Sequence, residues 1–157
     1  MLVTYCVFMN PAELQQLLYK EIPITKALQV QVDNLTSNSI QLSAPFEANK
    51  NIHNTAFAGS IYTTATLAGW SLVTHLVQQH QRQGSVVLAS ATIRYSKPIE
   101  GDIVASCQVS DPDTIERFLK RFDSRGRGRL SLEIDVIEAG ESKATMQADF
   151  AVIKKES

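Results

Sequence analysis

From Thr55 to Gln81 the chain runs without a single Asp, Glu, Lys or Arg. Its Ala and Leu content favours a helix over a strand, and at 1.5 Å per residue such a helix extends about 40 Å. A helix with no charged face must be enclosed, either by lipid or by the rest of a protein. Ser60, Tyr62, Thr63, Thr64, Thr66, Ser71, Thr74 and His75 put too many hydrogen-bonding groups along it for a lone membrane span. The expectation is therefore a buried central helix, and the remaining sequence must supply what surrounds it.

That sequence reads mostly as strands. Val87, Ala89, Ala91, Ile93 and Tyr95 alternate with polar residues, and so do Ile103–Val109, Leu130–Val136 and Ala144–Val152. Period two with one apolar face marks an antiparallel sheet covered on one side. Two further extended runs, Ala27–Leu35 and Ile40–Phe46, precede the polar stretch Glu47–Asn54. Glu100-Gly101-Asp102 and Ala139-Gly140-Glu141 are turn signals that predict hairpins between neighbouring strands. Asn10-Pro11 with Glu13 predicts a capped helix ending before Pro23, and Asp111-Pro112 opens a second helix reaching Phe122. A length of 157 residues, 44% of them hydrophobic, suits one domain over 1–157: a helical extension over 1–26 and a core over about 27–153. The economical arrangement is an α+β one, a curved antiparallel sheet wrapped around one long central helix: the hotdog fold. The apolar start, Met1–Met9, carries no Lys or Arg and no cleavage site follows, which argues against a secretory signal. Cys6 and Cys107 read as buried free thiols in a reducing compartment, the cytoplasm. A net charge of -1 gives no global reason to expect nucleic acid or membrane partners.

The segment Asn51-Ile52-His53-Asn54-Thr55-Ala56-Phe57-Ala58-Gly59-Ser60 leads into the helix. It resembles the Asn-x-x-x-Thr-x-(aromatic or His)-(Gly/Ala)-Gly-Ser signature of hotdog thioesterases. Together with Leu67-Ala68-Gly69-Trp70-Ser71-Leu72-Val73 it is most similar to the bacterial YiiD C-terminal thioesterase family, over roughly Ala27 to Ile153. The resemblance implies hydrolysis of an acyl thioester of coenzyme A or of an acyl carrier protein, with no separate cofactor. It also implies that Asn51 positions a group and that Ala58 and Gly59 receive the thioester carbonyl. Asn54, Thr55, Phe57, Ser60, Thr66 and Ser90 then fall around the substrate. Physical chemistry points the same way, because the first amides of a helix lack partners inside it and attract negative charge. Small residues there also suit a strand packed against them, and the residues alone leave both open.

The general base is the gap in this picture. In related phenylacetyl-CoA-type enzymes the helix acid stands where this chain has Thr66, and no Asp or Glu occurs from Ala48 to Ile99. Glu47, His53 or an acid from a partner chain remains, or else a module that binds acyl groups without hydrolysing them. The same gap argues against hotdog dehydratases and hydratases, which pair a His with a carboxylate. His53 could accept a proton near pH 7, but a polar loop is also where surface histidines sit. His75 and His80 lack an acid at ligand spacing, which argues against a metal site. Arg117, Lys120, Arg121, Arg125, Arg127 and Arg129 crowd together with Asp123 as the sole acid among them. Of these, Arg121, Arg125, Arg127 and Arg129 are the candidates to hold coenzyme A phosphates. Arg-Gly-Arg-Gly-Arg also fits RNA, without aromatic residues to stack bases; a solvated turn fits it equally. A curved sheet with free edges further predicts a homodimer or tetramer.

Overall fold

The computed structural model describes residues 8–156, so Cys6 and all but the end of the apolar start lie outside the described residues. The chain begins with α1 (Pro11–Glu21), where the Asn10 side chain accepts from the Glu13 amide and the Glu13 carboxylate accepts from the Asn10 amide. This reciprocal capping box satisfies two donors that the helix cannot. Leu14 and Leu18 are fully buried, and the helix stops before Pro23 as its sequence dictates.

The stretch expected to be extended from Ala27 first forms a single helical turn, α2 (Ile24–Ala27), and then bends at Gln29, whose φ is +55°. The strand β1 therefore covers only Gln31–Leu35. It pairs with β2 (Ser39–Ala44), and one further turn, α3 (Phe46–Asn49), leads toward the long helix. That helix, α4, spans Ala58–Gln79. It starts later than Thr55 because Ala56 bridges Lys50 and donates its amide to the Ile99 carbonyl at 2.7 Å, which holds 55–57 extended.

Strands β3 (Gly84–Tyr95), β4 (Ile103–Gln108), β5 (Arg127–Glu138) and β6 (Glu141–Lys154) complete a six-stranded sheet ordered β1-β2-β4-β5-β6-β3, every pair antiparallel. Between β4 and β5 lies α5 (Pro112–Arg125), capped by Asp111 and closed by Gly126 in the left-handed region. The turn at Ala139-Gly140 makes the expected β5–β6 hairpin, with φ of +50° and +76°, the pairing of signs that follows strand twist. Glu100-Gly101-Asp102 does not make a hairpin. β3 pairs with β6 at one side of the sheet and β4 lies between β2 and β5, so this segment is a crossover between two strands that are not neighbours. Ile99, 1% exposed, anchors that crossover over the start of α4.

One face of the sheet curves around α4, which packs against β2 through β6, and this is the hotdog fold. Alternate residues of the strands, among them Leu42, Ile103, Ile134, Met146 and Phe150, are buried toward the helix. Gly69 lets the two layers meet: a β-carbon there would lie 2.5 Å from the buried Phe150 ring. The two sheet edges differ. α1 shields β1, with Gln15 accepting from the Val32 amide and Tyr19 donating to the Val30 carbonyl. Among the described residues no strand pairs with the outer edge of β3, and α4 reaches this strand through Trp70, whose Nε1 donates to the Val86 carbonyl at 2.9 Å.

Candidate active site

The loop before α4 is shaped by Asn51. Its carboxamide oxygen accepts from the amides of His53 (2.9 Å) and Thr55 (3.1 Å), and its nitrogen donates to Thr55 Oγ1 at 2.9 Å. Asn54 completes the turn with φ of +61°, a conformation Asn tolerates well. Asn51 is thus fully engaged in holding the loop. It reaches His53 through the backbone amide, and the exposed His53 ring stands free of hydrogen bonds among the described residues.

The loop delivers the chain to the helix with Phe57 clamped, its amide donating to the Asn49 carbonyl at 2.7 Å. No side chain caps α4, and its first intrahelical bond runs from the Ile61 amide to the Phe57 carbonyl. The amides of Ala58, Gly59 and Ser60 consequently meet no acceptor among the described residues. Three convergent N–H groups at the positive end of a 22-residue helix can receive a carbonyl oxygen that is gaining charge. Small residues line the approach, and the reason is local. The Phe57 ring, 55% exposed, lies over Gly59, rather than a strand packing there. Tyr95 closes the other side, donating its hydroxyl to the Ala58 carbonyl at 3.1 Å. Burial, and secondarily Tyr62, hold its pKa above the usual phenol value, so it stays a donor.

Along α4 the row Tyr62, Thr66, Trp70 and Thr74 is only half covered and flanks the open edge of β3. Thr63 and Thr64 return their hydroxyls to the Gly59 and Ser60 carbonyls, while Thr66 makes only a long contact to Met146 Sδ at 3.9 Å. Thr66 stands eight residues, about 12 Å, along the helix from Ala58, so this half-buried and weakly held hydroxyl lies away from the helix start. Glu47 is an exposed ion-pair partner of Lys50, 2.7 Å away. Ser90 does not join this group: its hydroxyl points to the outer face of the sheet, toward Asp149. His75 is buried, with its pKa lowered by burial despite a hydrogen bond to the Thr36 backbone. Among the described residues no cluster of three metal-ligating side chains occurs.

Far from the helix start, Arg121, Arg125, Arg127 and Arg129 line one cavity of about 370 Å³ with Ala151 and Ile153. None of the four guanidinium groups has an ion pair among the described residues. The nearby acid, Asp123, is engaged by Arg82 through two hydrogen bonds, which lower its pKa. The arginines expected from sequence to act together are therefore adjacent, unpaired and beside an exposed apolar side chain, Ile153.

Residues 11–154 match the profile of the family described as "Putative thioesterase (yiiD_Cterm)". The chain belongs to the YiiD C-terminal thioesterase family. A protein of unknown function from Chlorobaculum tepidum TLS superposes with a TM-score of 0.87 at 25% identity, covering 94% of this chain and 99% of that one. A putative thioesterase from Shewanella oneidensis gives 0.79 at 29% identity, over 91% and 96%. A mutant thioesterase from Pseudomonas aeruginosa, 12% identical, shares the fold with a TM-score of 0.72 over 94% and 96%. For this YiiD C-terminal family member, two residues at the helix start went unnoticed in the sequence. Tyr95 reads there as one more residue on the apolar face of its strand, since nothing local announces a partner 37 positions earlier. Asn49 is 2% exposed and bridges the Leu28 and Pro45 carbonyls. Its spacing from Asn51 was the available signal, two amides in a stretch too short to be low complexity.

Proposed function

We propose that the protein hydrolyses acyl-CoA thioesters at the start of α4. The observation that carries this is the set of unpartnered amides of Ala58, Gly59 and Ser60 in a thioesterase-family chain. The thioester carbonyl oxygen rests on the Ala58 and Gly59 amides, with Phe57, Thr55 and Ser60 around the acyl carbon. Water adds to that carbon, the carbonyl electron pair moves onto the oxygen, and the amides hold the resulting oxyanion. The intermediate then collapses, the C–S bond breaks, and the thiolate takes up the proton lost by water. His53, placed by Asn51, is the base on this chain and holds the water, while Thr66, about 12 Å along α4 from Ala58, lines the path of the acyl chain. Asn54, at the left-handed turn, sets the height of the loop. The acyl chain follows the half-covered row of α4. The active species is a cytoplasmic homodimer formed through the open edge of β3.

Thiol release should be assayed across short to long acyl-CoAs and matched acyl-carrier proteins. Turnover on an acyl-CoA that falls on His53→Ala supports the assignment, whereas a folded sample inert on every thioester removes it. One observation favours a second reading, an acyl-CoA-binding module without hydrolysis: α4 carries no carboxylate. Calorimetric binding without turnover would support that module, and multiple turnovers would dismiss it.

A further inference from the structure

The crossover from β3 to β4 reaches the start of α4 through a single peptide unit. The Ile99 carbonyl accepts from the Ala56 amide at 2.7 Å, and the N–H of the same peptide, on Glu100, donates to both carboxylate oxygens of Glu138, at 3.0 and 3.2 Å. A trans peptide is planar and rigid, so its two ends move together. Turning the N–H away from Glu138 also turns the carbonyl away from Ala56. A charged acceptor on the N–H further polarises the peptide and strengthens the bond its carbonyl receives. Of the three amides that lead into α4, those of Thr55 and Phe57 are held within the entry loop, by the Asn51 side chain and the Asn49 carbonyl. Ala56 finds its acceptor outside that loop, so Ile99 decides where the loop meets the sheet.

We propose that Glu138 is a positioning residue for the carbonyl site: its carboxylate fixes the Ile99–Glu100 peptide, the peptide fixes Ala56, and Ala56 sets where the Ala58 and Gly59 amides stand. This rests on the acyl-CoA reading above. The surroundings of Glu138 are arranged for that contact. Gly101 leaves room for the carboxylate, since a β-carbon there would lie 2.9 Å from its Oε2. Lys143, its side chain 16% exposed, lies nearer to Glu141 (3.3 Å) than to Glu138 (3.9 Å), which leaves the Glu138 oxygens to the amide. On either side of this peptide the crossover is tied down independently. The Ser96 and Lys97 amides donate to the Lys143 carbonyl, and the Asp102 carboxylate accepts from the Phe46 amide. Loss of the Glu138 carboxylate therefore frees one peptide and leaves the rest of the segment in place. Amides that hold an oxyanion act in the transition state, so their displacement lowers kcat and spares KM.

Steady-state kinetics on an acyl-CoA separate this role from a general contribution to stability. Glu138→Ala should lower kcat roughly tenfold or more with KM near the parent value, since small misplacements weigh heavily where reacting atoms are held. Glu138→Gln keeps one oxygen for the Glu100 amide and should recover most of the loss. Glu141→Ala removes the carboxylate shared by Lys97 and Lys143, which loosens the same hairpin without touching the peptide. It should leave kcat within about twofold of the parent, as exposed ion pairs contribute little. Gly101→Ala crowds the carboxylate and should lower kcat by itself, yet have no further effect in the Glu138→Ala background. Equal kcat losses in Glu138→Ala and Glu141→Ala, no recovery in Glu138→Gln, or full additivity with Gly101→Ala would overturn the proposal. Should Glu138→Ala not fold, Gly101→Ala takes its place in the comparison with Glu141→Ala. Amide exchange supplies a readout free of hydrolysis: the Ala56 N–H should exchange roughly tenfold faster in Glu138→Ala and at the parent rate in Glu141→Ala. That outcome in a protein that turns over no thioester would keep the link from Glu138 to α4 and remove the hydrolase. Unchanged exchange at Ala56 in Glu138→Ala would remove the link itself.

Discussion

The Phe57 ring occupies the space that a side chain at Gly59 would need, its Cε1 2.5 Å from where a β-carbon would stand. The neighbour is the far end of an exposed side chain, so it can swing aside. Gly59→Ala should therefore leave stability within about 1 kcal/mol of the parent, helped by better helix propensity, while displacing the ring from the carbonyl site and raising KM. Gly69→Ala provides the contrast. There the obstacle is Phe150, fully buried, and overpacking should cost about 1–3 kcal/mol. Thermal melts and KM values for both variants check the pair, and equal losses of stability would contradict the assignment of Phe57 as a movable cover.

Ala58→Pro isolates the amide itself. Ala58 is the first residue of α4, where Pro is favoured, and Phe57 before it has φ of -66° and ψ of 129°, a conformation compatible with a following Pro. The substitution deletes one N–H that no protein acceptor uses, and leaves the Ala58 carbonyl to Tyr95. The melting temperature should hold or rise, whereas kcat should fall about 10²–10³-fold if that N–H carries oxyanion charge. Unchanged turnover in a folded variant would move the carbonyl off Ala58.

These relationships mark how far sequence reached. The alternation in β4 to β6 and the uncharged run of α4 follow from local periodicity, so most of the sheet and the helix it encloses were legible without a structure. In β3 a bulge between Leu88 and Ser90 turns Val87 outward and packs Val86 and Leu88 inward, which reverses the expected apolar set before Ala91. What depends on strand order was not legible either. Glu100-Gly101-Asp102 looks like a hairpin because the turn residues are right, yet β3 leaves its neighbour in sequence to pair with β6. The same non-local choice puts Tyr95 on Ala58, which spacing cannot reveal, whereas alternation already groups Ser90 with the polar residues that face outward, here toward Asp149. Asn51 was legible as a key residue, but its hydrogen bonds are to its own loop.

Stability should decline at both ends of the pH range for separate reasons. Burial pushes the Cys107 thiol up to about 12, so the folded state keeps a proton that the unfolded chain loses near 9. Stability present below that point is lost as pH rises from 9 toward 12, by up to about 1.4 kcal/mol per pH unit. Burial lowers the pKa of His75 below 6.5, so the unfolded chain takes up a proton first as pH falls. Stability present above that value is lost on acidification. Melting temperatures against pH should show a shallower alkaline slope in Cys107→Ala and a shallower acid slope in His75→Gln. Slopes that match the parent would assign the losses to other groups.

Removing arginine charge should separate the two ends of the substrate. The Arg127→Ala, Arg129→Ala double variant leaves the start of α4 untouched and takes two of the four guanidinium groups from the cavity. Charged hydrogen bonds contribute about 1.5–3 kcal/mol each, so KM for an acyl-CoA should rise at least roughly tenfold. kcat should stay near the parent value, because the lost contacts hold substrate and transition state alike. The matching acyl-pantetheine thioester has no phosphate, and its kinetics should not change. Added salt should weaken acyl-CoA binding in the parent and affect the variant less. If both substrates lose activity equally, the arginines support the fold of α5 and β5 and make no contact with phosphate.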